Sequence, residues 1–238
     1  MTRPQPIETS RVAYDRYWAE RDPERTAARS RGRAALALAL LGARRGTLIE
    51  VGCGPGWALE RFGAAGFDAF GVDVSAQAVR AAQERGLAAR VLDFEREPLE
   101  GTFDVVVALE VLEHLADPLA AAVALRRALR PGGVAVVSLP NEWTLPRRLG
   151  AVFGRPGFGG HDDPHLRHFD PRSARRLFAD AGWCVLAHRW DGLAPPRWGI
   201  AKRVCDLLTA VSPGLFALSG VYLLEPRERA QERSHARP

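Results

Sequence analysis

The chain has 238 residues, enough for one full-sized core or two small ones, with 47% hydrophobic and 26% charged residues, ordinary proportions for a soluble globular protein. No uninterrupted apolar stretch reaches the roughly 18–20 residues that span a bilayer, and "MTRPQPIETS" lacks the apolar segment of a secretory signal. The formal charge is +5, and the basic residues are arginines scattered along the chain, Lys202 being the single lysine. A charge of this kind is compatible with nucleic acid or an anionic membrane as partner but selects neither.

In chain order, residues 1–9 read as a loose arm. "RVAYDRYWAE" and "ERTAARSRGRAALALALLG" follow as two helices, the second stopped by Gly42. From residue 47 the pattern changes to short β-rich runs, "TLIEVG", "FDAFGVDV", "AARVLDF", "FDVVVAL" and "GGVAVVSL". They alternate with the helical stretches "WALERFGAAG", "SAQAVRAAQERG" and "DPLAAAVALRRALRPG". Ser75 and Asp117 are placed as N-caps, Pro118 at a first helical position and Gly86 just past a helix end. Continuous apolar strands alternating with helices predict a parallel sheet covered on both faces. "PNEWTLPRRLGAVFGRPGFGGHDDPHLRHFD" is dense in Gly, Pro and His and reads as loop. The helix "PRSARRLFADAG", the strand "WCVLAHRW", a Pro-rich helical stretch over 194–218 and the strand "GVYLLEP" follow, and the tail after Arg227 is polar. Within 194–218, Trp, Arg and Leu mix with amphipathic character, which suits a helix capping the sheet or a peripheral membrane contact. Cys53, Cys184 and Cys205 are isolated and match neither a disulfide framework nor a zinc pattern, as expected of reduced thiols in the cytoplasm.

The chemistry concentrates at the ends of the predicted strands. Gly52, Gly54 and Gly56 run G-x-G-x-G after the acidic Glu50, tighter than the G-x-G-x-x-G of a dinucleotide turn, and no phosphate-loop lysine follows. A tight strand-to-helix turn of no further function has the same spacing. Asp73 ends the second strand, where a carboxylate can accept from both ribose hydroxyls. Asp93 ends the third, placed for an adenine amine with Phe94 beside the ring. A glycine turn and two carboxylates at successive strand ends describe an adenosine pocket along the carboxyl edge of the sheet. In "EVLEHL", Glu110, Glu113 and His114 would share one face if the segment is a helical turn, where they can act as a general base or hold a divalent ion.

These segments, with "LRPGGVAVVSLPN", resemble the class I S-adenosylmethionine (SAM)-dependent methyltransferases over roughly residues 45–226. The resemblance implies a Rossmann-like, seven-stranded, mostly parallel sheet with helices on both faces and the last strand antiparallel. It implies SAM as cofactor, with Gly52 and Gly54 cradling the methionine part, Asp73 holding the ribose and Asp93, with Phe94 beside it, meeting the adenine. Glu50, Cys53, Gly56, Val74 and Leu109 complete the expected cofactor-binding set. It also divides the chain into a helical extension or lid (1–45), a methyltransferase domain (46–226) and a polar tail (227–238). Tyr14, Tyr17 and Trp18 would lie on the lid, or simply pack the first helix against the domain. "EVLEH" is similar to the segment of the ubiquinone-biosynthesis O-methyltransferases and the small-RNA 2′-O-methyltransferases. That likeness implies Glu110, Glu113 and His114 as a catalytic or metal-binding set, with Mg2+ the expected ion. The RNA enzymes add a later histidine, for which His161, His165 and His168 are available and His165 is the candidate ligand. The segment after the fourth strand lacks the Asn/Asp-Pro-Pro-aromatic signature of enzymes acting on planar amines. The expected acceptor is therefore an oxygen, or a flexible nitrogen, of a small or lipid-linked molecule. An RNA 2′-O-methyltransferase and a non-catalytic SAM-binding module are the alternatives.

Overall fold

The computed structural model describes residues 10–155, 165–192 and 200–227; the predicted arm over 1–9, His161, and the tail from 228 lie outside them. The first helix, α1 (Ser10–Glu20), is followed by α2 (Pro23–Leu41). Asp22 caps α2 by accepting from the Glu24 and Arg25 amides, and Gly42 ends it at φ 61°. Next come β1 (Gly46–Val51), α3 (Trp57–Ala64), β2 (Phe67–Asp73), α4 (Ala76–Glu84), β3 (Ala89–Val91) and β4 (Phe103–Leu109). A 3-10 turn (Leu112–His114), α5 (Pro118–Arg127) and β5 (Leu129–Pro140) complete the part with the regular pattern. Ser75 and Asp117 cap α4 and α5 as expected, accepting from the Ala78 and Ala120 amides. The remaining described elements are α6 (Leu145–Val152), α7 (Pro171–Asp180), β6 (Trp183–Gly192), α8 (Ile200–Val211), α9 (Pro213–Phe216) and β7 (Ala217–Pro226).

The seven strands are ordered β3-β2-β1-β4-β5-β7-β6. The first five pair in parallel, and β7 runs antiparallel to both β5 and β6. The physical basis is the doubly buried strand, whose successive side chains feed opposite faces. In β4, Val106 and Ala108 join Ile49, Val137, Leu125 and Phe178 in one core layer. Val105 and Val107 join Leu48, Phe62, Ala34, Ala37 and Leu41 in the other. Helices α5 and α7 thus cover one face and α2 and α3 the opposite one. Where β1 and β4 lie side by side, the chain departs in opposite directions to α3 and α5. This is the switch point at which open α/β sheets leave a crevice beyond their carboxyl ends.

Two expectations are corrected. The stretch after β5 is not all loop: α6 forms in "LPRRLGAV", started by Pro146 in its first turn, where a missing amide hydrogen costs nothing. Strand β5 also begins at Leu129, earlier than its valine run, because Leu129 pairs with Phe103 before the register shifts.

Candidate active site

The glycine turn is fixed by backbone geometry. Gly52, Gly54 and Gly56 have φ of 70°, 52° and 81°, a region in which a side chain is strained. Space enforces the same choice. A Cβ on Gly52 would lie 2.5 Å from Val111, and one on Gly54 would lie 2.6 Å from the Trp18 ring. One on Gly56 would strike Leu87. Gly56 starts α3 and serves close packing against the neighbouring α4–β3 connection.

A cavity of about 290 Å³ opens beyond the ends of β1, β2 and β4. Of the residues expected around a cofactor, it is lined by Glu50, Gly52, Cys53, Asp73, Val74, Asp93, Phe94 and Leu109; Gly54 and Gly56 lie behind its wall. Asp73 is held from two sides, accepting from the Gly54 amide and the Ser75 amide at 2.8 Å each. Burial pushes its carboxyl up to about 6, against the pull of those two amides. Glu50, 2% exposed, has one carboxyl oxygen without a hydrogen-bond partner, and burial, then the nearby Asp73, pushes it well above the usual carboxylate range. Burial also pushes the Cys53 thiol up. Asp93 sits at the mouth, accepting from the Glu95 amide at 3.2 Å.

Helix α1 closes this end. Asp15 accepts from the Ser75 hydroxyl at 2.5 Å and from the Gln77 amide at 3.1 Å, which fastens α1 to the start of α4. Tyr14, Tyr17 and Trp18 then line the cavity, with Trp18 6.0 Å from Trp57 ring to ring. Burial pushes both tyrosine hydroxyls above their ordinary value.

The "EVLEH" segment is not one helical turn. Glu110 adopts φ 57°, left-handed, and the 3-10 turn starts only after it, at Leu112. The backbone reversal separates the three side chains. Glu110 accepts from the Ser138 hydroxyl at 2.8 Å and pairs with Arg33 at 3.1 Å. Glu113 turns inward and is fully buried, both its oxygens without a hydrogen-bond partner; burial, then the charge of Glu110, raises it well above the carboxylate range. His114 lines the cavity, its Nε2 3.8 Å from the nearer Glu113 oxygen. The His114 and His165 rings are 4.8 Å apart, and His165 also lines the cavity whereas His168 does not. One ligand atom each from Glu113, His114 and His165 lie within 4.8 Å of one another, a set that excludes Glu110.

The sequence reading missed three residues. Glu142, 1% exposed, sits 2.8 Å from His165 Nδ1 and also meets Arg147, so it fixes which ring nitrogen faces the cluster. Ser138 and Arg33 restrain Glu110. No local motif marks them; Glu142 is visible only as the acid next to Pro140-Asn141. Asn141 itself is structural, its amide donating to the carbonyls of Pro213, Gly214 and Ala217.

Comparison with known proteins agrees with this geometry. A family model described as a methyltransferase domain matches residues 17–188. The ubiquinone biosynthesis O-methyltransferase of Methylococcus capsulatus is 36% identical over 114 residues, 44% of this chain and 48% of that protein. The protein of the same name from Psychrobacter arcticus is 34% identical over 176 residues, 66% of this chain and 67% of that one. The chain thus spans about half the length of the first relative and about two thirds of the second. A Thermotoga maritima structure described as a SAM-dependent methyltransferase, possible histamine N-methyltransferase, superposes with a TM-score of 0.65 at 18% identity. The superposition covers 90% of this chain and 98% of that one, and the fold is the shared property. With the family model matched across the glycine turn, both strand-end carboxylates and the Glu113–His114 turn, this chain belongs to the methyltransferase-domain family.

Proposed function

We propose that the protein transfers the methyl group of SAM to an oxygen of a small-molecule acceptor, with residues 10–226 working as one unit. The observation that carries this reading is the composition of a single cavity. One end has the glycine turn and a buried ribose-type carboxylate, Asp73; the other has His114 and His165, with Glu113 behind them. The O-methyltransferase names of the relatives support oxygen as the acceptor atom.

In the reaction the acceptor hydroxyl gives its proton to an imidazole, and the oxygen attacks the methyl carbon in line with the sulfonium. The carbon–sulfur bond breaks, its electron pair stays on sulfur, and neutral S-adenosylhomocysteine leaves. Holding oxygen and methyl in near-attack geometry supplies much of the acceleration. His114 and His165 are placed to take the proton. The aromatic wall of Tyr14, Tyr17, Trp18 and Trp57 excludes water around the sulfonium and offers it electron-rich faces.

Glu113, His114 and His165 also fit a divalent ion: a buried carboxylate with unsatisfied oxygens and two imidazoles, one backed by Glu142. That donor set suits zinc, manganese or iron better than Mg2+, which prefers oxygen ligands and retained water. When bound, such an ion would lower the pKa of an acceptor hydroxyl. Cytoplasmic residence belongs to the same reading, supported by three free cysteines. Among the described residues no helix is long and apolar enough to cross a membrane.

The test is incubation of the protein with methyl-labelled SAM and cell extract, with and without chelator, followed by separation into small-molecule, lipid, RNA and protein fractions. Label in alkali-stable methyl ethers of small molecules or lipids is expected. Label confined to RNA or protein would overturn the acceptor assignment.

A further inference from the structure

Helix α8 is amphipathic in the inverted sense. Val204, Leu207, Leu208 and Val211 stand at i, i+3, i+4 and i+7, the stripe that a globular protein turns to its core. Here all four are exposed, Leu207 at 65% and Val211 at 76%. Among the described side chains of α8 the buried one is polar: Thr209, its hydroxyl donating to the Cys205 carbonyl, lies against Gly192 of β6, beside the exposed Asp206. Helix α6 repeats the arrangement with no buried residue of its own. Leu149 is exposed, as are Val152 and Phe153 at 78% each, and Trp143 precedes the helix. Of the twelve exposed large hydrophobic residues among those described, eight lie on or directly beside these two helices.

Leu218 on β7 adds to the same edge, its carbonyl accepting from the Asn141 backbone amide. The two helices are tied together there. The Asn141 amide, four residues before α6, holds the carbonyls of Pro213 and Gly214, just after α8. Glu142, the next residue, contacts His165 of the cavity, so the apolar surface adjoins the active-site end of the sheet.

We propose that α6 and α8 form a docking surface for an anionic lipid bilayer beside the cavity. Charge selects this occupant. Segments 143–155 and 203–218 contain four arginines, Arg147, Arg148, Arg155 and Arg203, against the buried Glu142, which pairs with Arg147, and one exposed acid, Asp206, so the surface stays net positive. Apolar side chains rimmed by arginine suit the headgroup boundary of an anionic leaflet, and Trp143 and Phe153 are the aromatic types enriched there. A second copy of the chain would bring the same arginines against these and meet like charge.

The experiment is co-sedimentation with vesicles of phosphatidylcholine mixed with phosphatidylglycerol, against phosphatidylcholine alone. It compares the wild type with Val152→Ser/Phe153→Ser and Leu207→Ser/Val211→Ser. All four positions are exposed, and thermal melts check that both variants fold. The wild type is expected to bind the anionic vesicles and to lose binding as salt rises. Each double variant should bind about tenfold more weakly. SAM affinity is expected to stay within about twofold of wild type in both, so the result stands apart from the methyl-transfer reading. Absence of wild-type binding to the anionic vesicles would overturn the proposal, as would equal binding by both variants. A wild-type dimer that the substitutions dissociate, without vesicle binding, would assign the surface to a second copy instead.

Discussion

The Asp73 carboxylate should make SAM binding and protein stability respond to pH in opposite directions. Its carboxyl is raised from the ordinary 3.8 to about 6, chiefly by burial. Ribose hydroxyls donate to the ionised form, so the binding-competent fraction of free protein falls as pH drops through 6. One unit below that value only about a tenth is competent, and the apparent Kd rises about tenfold between pH 8 and pH 5. Stability moves the other way. In the unfolded chain Asp73 ionises near 3.8, whereas the folded protein keeps its proton up to about 6. Above pH 6 the folded state therefore bears the full cost of a buried charge. That cost is relieved as pH falls from 6 towards 4, by about 3 kcal/mol for a shift of roughly two units. Asp73→Asn removes both effects: SAM affinity at pH 8 should fall at least about tenfold, about 1.4 kcal/mol, and become insensitive to pH. Titration calorimetry from pH 5 to 8, with urea melts of the ligand-free protein over the same range, reads both. A wild-type Kd that does not change, or an Asn variant with the same pH slope, would refute the ribose assignment.

His114→Ala is expected to lower turnover about 100-fold while SAM affinity stays within about twofold, since a proton acceptor is lost and the glycine-turn end is untouched; unchanged turnover in a steady-state assay would make the cluster scaffolding. Glu113→Gln should weaken zinc or manganese binding at least about tenfold in equilibrium dialysis, because the Glu113, His114 and His165 donors act together. Wild-type affinity in that variant would remove Glu113 from the site. Gly54→Ala places a methyl against Trp18 at a φ of 52° and should cost about 1–2 kcal/mol in a urea melt. Asn141→Ala strips a donor from the Pro213, Gly214 and Ala217 carbonyls and should cost about 1–3 kcal/mol. A melt unchanged in either case would contradict the packing described.

Much of the fold was legible because its signals are local. Unbroken valine runs such as Val105–Val107 require burial on both faces, and the caps at Ser75 and Asp117 need only residues three positions away. The strand-end carboxylates Asp73 and Asp93 were legible for the same reason, each being marked by its strand. The opposite end of the cavity was less so. The left-handed turn at Glu110 depends on Ser138, 28 residues distant, and on Arg33 from α2, and neither leaves a mark beside "EVLEH". Spacing alone therefore put Glu110 on one face with Glu113 and His114, whereas the fold turns Glu110 towards Arg33 and Ser138 and leaves His165, the candidate among the later histidines, beside Glu113 and His114. Helix α6 escaped because its proline, glycine and arginines imitate a loop, and its apolar face has no core partner to complete a helical pattern.

The most direct measurement is a crystal structure with S-adenosylhomocysteine. The account predicts the ribose hydroxyls on Asp73, the adenine beside Asp93 and Phe94, and the sulfur directed towards His114 and His165. A nucleoside bound elsewhere, or a sulfur turned away from the histidines, would contradict it.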